Sequence, residues 1–266
     1  MYLRPSYTKM KGKKEGRMIK FILVALSVIL FLVLSTPLLL WEAYLGRKDP
    51  DKRDWQSLHI VQGVFRFILK LVGVHITVKG QENVPEDTAV LYVGNHRSYF
   101  DILVGYTTVP HLLGFVAKKE MRRYPFLVTW MENVHCLFLD RDNLKEGMKT
   151  ILKGIEQIKA GISIWIFPEG TRNESDDILE MLPFKEGSLK IAEKSGCPVV
   201  PVAITGTAEI FENHIPIMKS SQVTIEFGEP FIVKELEPAK RKFAGAYTQE
   251  MIRNMLQKEK DIREGR

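Results

Sequence analysis

A chain of 266 residues, 45% of them hydrophobic and with a net charge of +6, is long enough for one domain of roughly 190 to 200 residues preceded by a membrane element. The positive excess sits at the two ends, 4–20 and 234–266, which suits an anionic membrane surface. No zinc-finger spacing and no interleaving of aromatic and basic residues points to nucleic acid, and Cys136 and Cys197, outside any Cys-x-x-Cys pair, read as reduced buried hydrophobes of a cytosolic protein.

Residues 21–41, FILVALSVILFLVLSTPLLLW, carry no charge, and about 20 such residues cross a hydrocarbon core of roughly 30 Å. The run is longer than the apolar core of a signal peptide, about 7 to 15 residues, and 37–41 offers no small-residue cleavage site. Arg4, Lys9, Lys11, Lys13, Lys14, Arg17 and Lys20 precede it, and Arg47, Lys48, Lys52 and Arg53 follow it. A single crossing that kept the amino terminus in the cytosol would place the rest of the chain outside. Segment 55–74 has Leu58, Val61, Phe65, Ile68 and Leu71 at helical spacing, with Gln62, Arg66 and Lys70 between them. The two segments are expected to pair as helices, with Asp49-Pro50-Asp51 as the turn and Pro37 as a kink. The pair would lie in, or dip into, one leaflet; the alternative is that the second helix simply packs on the following domain.

From residue 75 onward, β-branched runs alternate with helical stretches. Strands are expected at 75–79, 88–93, 114–117, 135–139, 162–167, 199–204 and 222–227, and helices at 99–108, 125–131, 143–160 and 185–194. This alternation predicts an α/β fold with a mixed, largely parallel sheet flanked by helices, and a division into an amino-terminal region 1–74 and a domain 75–266. Asn143 is placed to cap the third of these helices and Gly161 to end it. The charged, amphipathic tail 238–260 predicts a surface helix.

In an open α/β sheet, chemistry gathers beyond the carboxyl ends of the strands. Two segments belong there: Asn95-His96-Arg97-Ser98-Tyr99-Phe100-Asp101 after the second strand and Phe167-Pro168-Glu169-Gly170-Thr171-Arg172 after the fifth. An Asp in the first turn of a helix reaches back toward the preceding loop, where Asp101 could hold one nitrogen of His96 and leave the other as a base. The other reading is that Asp101 caps its own helix and His96 is a polar loop residue. Gly170 permits close approach of a phosphate, and Arg172 offers a bidentate contact. Glu169 is unsuited to touch phosphate and is expected to pair with a basic neighbour or to accept from a substrate hydroxyl. Strand position makes Arg141 the best further anion ligand and Lys118 the second, whereas Arg122 and Arg123 are expected in solvent or against lipid head groups.

These residues resemble the glycerolipid acyltransferases, in particular the bacterial 1-acyl-sn-glycerol-3-phosphate acyltransferases. NHRSYFD at 95–101, the stretch from Lys118-Lys119-Glu120 to Arg141, FPEGTR at 167–172 and VVPVAI at 199–204 carry the resemblance over about residues 75–230. It implies His96 as general base, Asp101 as its partner, and an acceptor-phosphate site of Glu169, Gly170, Thr171 and Arg172 with Arg141. It also implies transfer of a fatty acyl group from acyl carrier protein or coenzyme A to the sn-2 hydroxyl of lysophosphatidic acid, with no cofactor and no metal, on the cytoplasmic face of the bilayer. One departure is that 132–138 lacks the glycine the family usually carries before this strand. A metal phosphoesterase needs three or more ligands and the histidines show no such spacing, a serine hydrolase needs a Gly-x-Ser-x-Gly elbow that the chain lacks, and a lipid carrier would need no His-Asp pair.

Overall fold

The computed structural model describes residues 7–265, with side chains from residue 16 onward; Arg4, Lys9, Lys11, Lys13 and Lys14 lie outside those described side chains. Three helices come first instead of the expected two. The apolar segment is divided at Ser35 into α1 (Tyr7–Leu34) and α2 (Thr36–Lys48), and α3 (Pro50–Val72) follows. Pro37 is the reason for the break, because it has no N–H to offer the carbonyl of Val33 and its ring crowds that oxygen. The hydroxyl of Thr36 takes the proline's place, donating to Val33 O at 2.8 Å. Trp130 Nε1 donates to Ser35 Oγ at 2.9 Å and ties the break to the body of the protein. Asp49 acts as a cap more than a turn: its Oδ1 accepts from Lys52 N at 3.1 Å. Gly73, at φ +84°, ends α3.

All seven expected strands form. In chain order the remaining elements are β1 (Val74–Lys79), β2 (Leu91–Gly94), α4 (Phe100–Thr108), β3 (Leu113–Lys118), α5 (Pro125–Asn133), β4 (Leu137–Leu139) and α6 (Leu144–Lys159). They continue with β5 (Ser163–Ile166), α7 (Lys190–Ser195), β6 (Val199–Thr205), β7 (Ser221–Phe227), α8 (Pro238–Lys242) and α9 (Ala244–Glu264). The sheet runs β1-β7-β6-β2-β5-β3-β4, parallel throughout except for the antiparallel β6–β7 pair. This is the mixed, largely parallel α/β fold expected from the alternation.

Alternate residues of each central strand feed two separate cores, as a sheet buried on both faces requires. Tyr92 and Trp165 face the first with Leu58, Val61 and Val72 of α3 and Val104 of α4. Leu91 and Ile164 face the second with Ile158 of α6 and Ile252 and Leu256 of α9. The inner face of α3 therefore belongs to the same core as the sheet. The outer side of α1 is different in kind: Gly16–Leu34 is long and apolar enough to cross a membrane, and Ile22, Leu26, Ile29 and Val33 on it are exposed.

The missing glycine before β4 has a physical counterpart. His135 enters the strand at φ +59°, a left-handed conformation that costs a non-glycine residue roughly 1 to 3 kcal/mol. A Cβ on Gly114 would stand 2.1 Å from His135 O, so the two backbones are in direct contact there. The His135 side chain is held from α3, with Nε2 2.8 Å from Asp54 Oδ2.

Candidate active site

β2 delivers its last residue, Gly94, to the carboxyl edge of the sheet, and Asn95 fixes where the following loop begins. Its side chain is 2% exposed and exchanges two hydrogen bonds with Ile204 of β6, Nδ2 to O at 2.9 Å and N to Oδ1 at 2.8 Å. The next residue, His96, is held through both backbone groups: its N–H donates to Glu169 Oε1 at 2.8 Å and its carbonyl accepts from Asn173 N at 2.8 Å. The two loops that sequence position assigns to one edge are thus stitched together at His96.

His96 Nδ1 lies 2.8 Å from Asp101 Oδ2. That same oxygen accepts from Arg97 N and Ser98 N, both at 2.8 Å, while Oδ1 accepts from Thr207 Oγ1 at 2.6 Å. An oxygen already receiving two backbone protons is an acceptor, so the shared proton belongs to His96 Nδ1; in the neutral imidazole the lone pair is then on Nε2. Asp101 is 1% exposed, and its ring partner stacks on Phe167 with centroids 4.0 Å apart and planes 8° from parallel. The carboxylate orders the loop ahead of α4 and holds the imidazole through the same oxygen, and it does not cap the helix at Tyr99. Ser98 contributes as well, its Oγ accepting from Phe100 N at 3.0 Å.

Glu169 is 5% exposed and forms no ion pair with a basic side chain among the described residues. Its oxygens receive His96 N and Leu182 N, the latter at 2.9 Å, which makes it a tie between the His96 loop and the segment after FPEGTR. Burial raises the carboxyl above the ordinary carboxylate range, against the pull of those two donors and of His96 and Arg97. Gly170 adopts φ +80°, and its carbonyl accepts from Arg141 Nη1. Arg172 lies over the ring of Tyr99, 3.9 Å from its centroid, and its Nη1 meets Glu212 Oε1 at 3.2 Å. Arg97 and Arg172 line a cleft of about 450 Å³ with Glu212 and Ile215. Thr171 and Lys118 stand exposed, the latter at the end of β3, while Lys119 is the lysine taken by Asp140 at 2.8 Å. Among the described residues no three His, Cys, Asp or Glu side chains converge as a metal site would require.

Three participants escaped the sequence reading. Glu212 accepts from Ser98 Oγ at 2.6 Å and Tyr99 N at 2.8 Å besides Arg172, joining three parts of the edge. Thr207 lies two residues past the end of β6, so the rule that found His96 also points to it. Lys185 reaches Gly170 from a segment read only as a helix.

A largely parallel α/β sheet whose edge carries a paired His and Asp, a positive-φ glycine and several cations is the class of domain these observations define. A family model described as Acyltransferase matches residues 75–205. More particularly, the chain is similar to the 1-acyl-sn-glycerol-3-phosphate acyltransferases of Saccharomyces cerevisiae, 30% identical over 184 residues, and Borreliella burgdorferi, 32% identical over 159 residues. Those matches cover 67% and 60% of this chain and 60% and 62% of the relatives, so the chain spans about three fifths of their length. The crystal structure of the 1-acyl-sn-glycerophosphate (LPA) acyltransferase PlsC from Thermotoga maritima superimposes with a TM-score of 0.77 at 26% identity, covering 94% of this chain and 97% of that one.

Proposed function

We propose that the protein transfers a fatty acyl group from a thioester, carried on acyl carrier protein or coenzyme A, to the sn-2 hydroxyl of 1-acyl-sn-glycerol-3-phosphate, yielding phosphatidic acid. The observation that supports this reading is the closed His96–Asp101 pair, with Nδ1 2.8 Å from Asp101 Oδ2. The acceptor hydroxyl gives its proton to Nε2 as its oxygen attacks the thioester carbonyl, and Asp101 stabilises the imidazolium that forms. The tetrahedral oxyanion then collapses, the C–S bond breaks, and the thiolate leaves with the proton returned by His96. No enzyme nucleophile enters the scheme, and neither a metal nor a cofactor is needed.

Arg141, Gly170, Thr171, Arg172 and Lys118 are proposed to receive the acceptor's phosphate and glycerol, with Glu169 acting through the backbone it holds. Arg172 reaches a phosphate by exchanging Glu212 for it. The exposed apolar side of α1 supports a seat in one leaflet, on the cytoplasmic face where the donor is made, which brings the lysolipid to the cleft without crossing water. The direct test is turnover of lysophosphatidate by purified His96→Ala with both donors. We expect loss of at least about 10³-fold in kcat with circular dichroism and vesicle binding unchanged. Substantial residual transfer would remove His96 from the role of base.

A further inference from the structure

We infer that Lys185 completes the phosphate site, closing with Arg141 on the bare backbone of Gly170; this deepens the acyltransferase reading and rests on it. A Cβ built on Gly170 would stand 3.2 Å from Lys185 Nζ and 3.3 Å from Arg141 Nη1. Two cations thus converge on the point where a side chain is missing, beside a turn whose positive φ is itself suited to glycine. Like charges drawn to one point call for an anion between them.

Glu120 and Asp142 act on Arg141 through charge without forming an ion pair, and the other carboxylates nearby have partners of their own. Asp140 and Asp142, on either side of Arg141, both lie against Lys119, at 2.8 and 3.6 Å. Glu186, next to Lys185, caps the start of α9 through Gly245 N at 2.8 Å and Ala246 N at 3.1 Å. Arg172 has Glu212. Neither Arg141 nor Lys185 forms an ion pair among the described residues.

The position of Lys185 is built, since its N–H donates to Pro168 O at 3.2 Å and Leu182 N donates to Glu169 Oε2 at 2.9 Å. Those bonds lay the 182–185 segment across the FPEGTR turn, with Phe184 buried in the second core as an anchor. The chemistry that fits is a phosphate monoester dianion, which can take a guanidinium on one edge and an ammonium on another. His96 is bonded to the residue before Gly170, so an anion seated there leaves the rest of its molecule within reach of the base.

The test uses the full-length protein in mixed micelles, with lysophosphatidate and with the phosphate-free 1-acylglycerol as acceptors, and with inorganic phosphate as competitor. Lys185→Ala is expected to raise the KM for lysophosphatidate about tenfold with kcat within about twofold, and to weaken inorganic phosphate inhibition by a similar factor. Lys185→Arg should recover most of both, and slow turnover of 1-acylglycerol should not change. Unaltered KM and phosphate inhibition in Lys185→Ala, or an equal loss with both acceptors, overturns the inference while the acyltransferase reading stands. If the wild type fails to acylate lysophosphatidate, that reading falls, and calorimetric titration of inorganic phosphate into wild type and Lys185→Ala still decides whether Lys185 holds the anion.

Discussion

Asp101 accepts four hydrogen bonds, and only one of them comes from the imidazole it serves. Thr207 supplies the bond to Oδ1 from a position 1% exposed, so it sets the rotation of the carboxylate and through it the plane of the His96 ring. Thr207→Val keeps the volume and removes the donor. The expected result is a fall in kcat of about tenfold with acceptor KM unchanged, and recovery in Thr207→Ser, read from steady-state kinetics. An unaltered kcat would show that the backbone donors alone orient Asp101. At this scale spacing alone left His96 and Asp101 open to a helix-cap reading, and it was the second loop at the same sheet edge, with the resemblance, that singled out the pair. Glu212 was not legible: a glutamate in the loop between β6 and β7, near Glu209 and Asn213, looks like any solvated charge until the fold brings Ser98 and Arg172 to it.

The elements were easier to read than their directions. Runs of β-branched residues bounded by glycine or proline mark most of the strands, though not β4, yet alternation is blind to whether a strand returns parallel or antiparallel, and β7 reverses against β6. The same limit applies to the tail. Its amphipathic pattern predicts a helix, but only the fold shows α9 burying Ile252 and Leu256 completely and carrying Glu259 beneath the β1–β7 edge. Burial alone would raise the Glu259 carboxyl; contacts from Lys79, Arg263 and Thr224 outweigh it and bring it from 4.5 to about 2. A carboxyl whose pKa falls on folding stabilises the native state above its unfolded pKa, and the benefit is lost as pH drops through the folded one. Glu259→Gln should therefore lower stability at pH 7 by on the order of 2 to 3 kcal/mol. It should also flatten the loss of stability between pH 4.5 and about 2, both measured by urea denaturation. A parallel acid profile for wild type and variant would exclude Glu259 as the titrating anchor.

For the whole molecule, the telling division is between two kinds of apolar surface. α3 turns its apolar stripe into the sheet's core, whereas α1 keeps Ile22, Leu26 and Ile29 outside it, 55, 56 and 59% exposed. The sequence could not separate these, because hydropathy measures what a helix would bury and is silent about where. Ile22→Glu with Leu26→Glu places two charges one turn apart on the outer side, each costing about 2.5 to 3.5 kcal/mol at a bilayer's centre. Flotation with anionic phosphatidylserine vesicles should fall sharply while the thermal midpoint stays within a few degrees. Retained flotation would remove α1 as the membrane element.

The break at Ser35 bears on how such a seat would work. Were α1 and α2 one straight rod, it could roll about its own axis like a tether. Instead the bend is bolted to Trp130, the middle of α1 stacks Phe21 on Phe211 with centroids 5.6 Å apart, and Lys20 Nζ donates to Val72 O at 2.6 Å. Phe211 adjoins Glu212, which holds Tyr99 and Arg172. A helix gripped at its middle and at its end has lost its swivel, so the angle at which it would enter a surface would also be the angle at which His96 meets whatever that surface delivers.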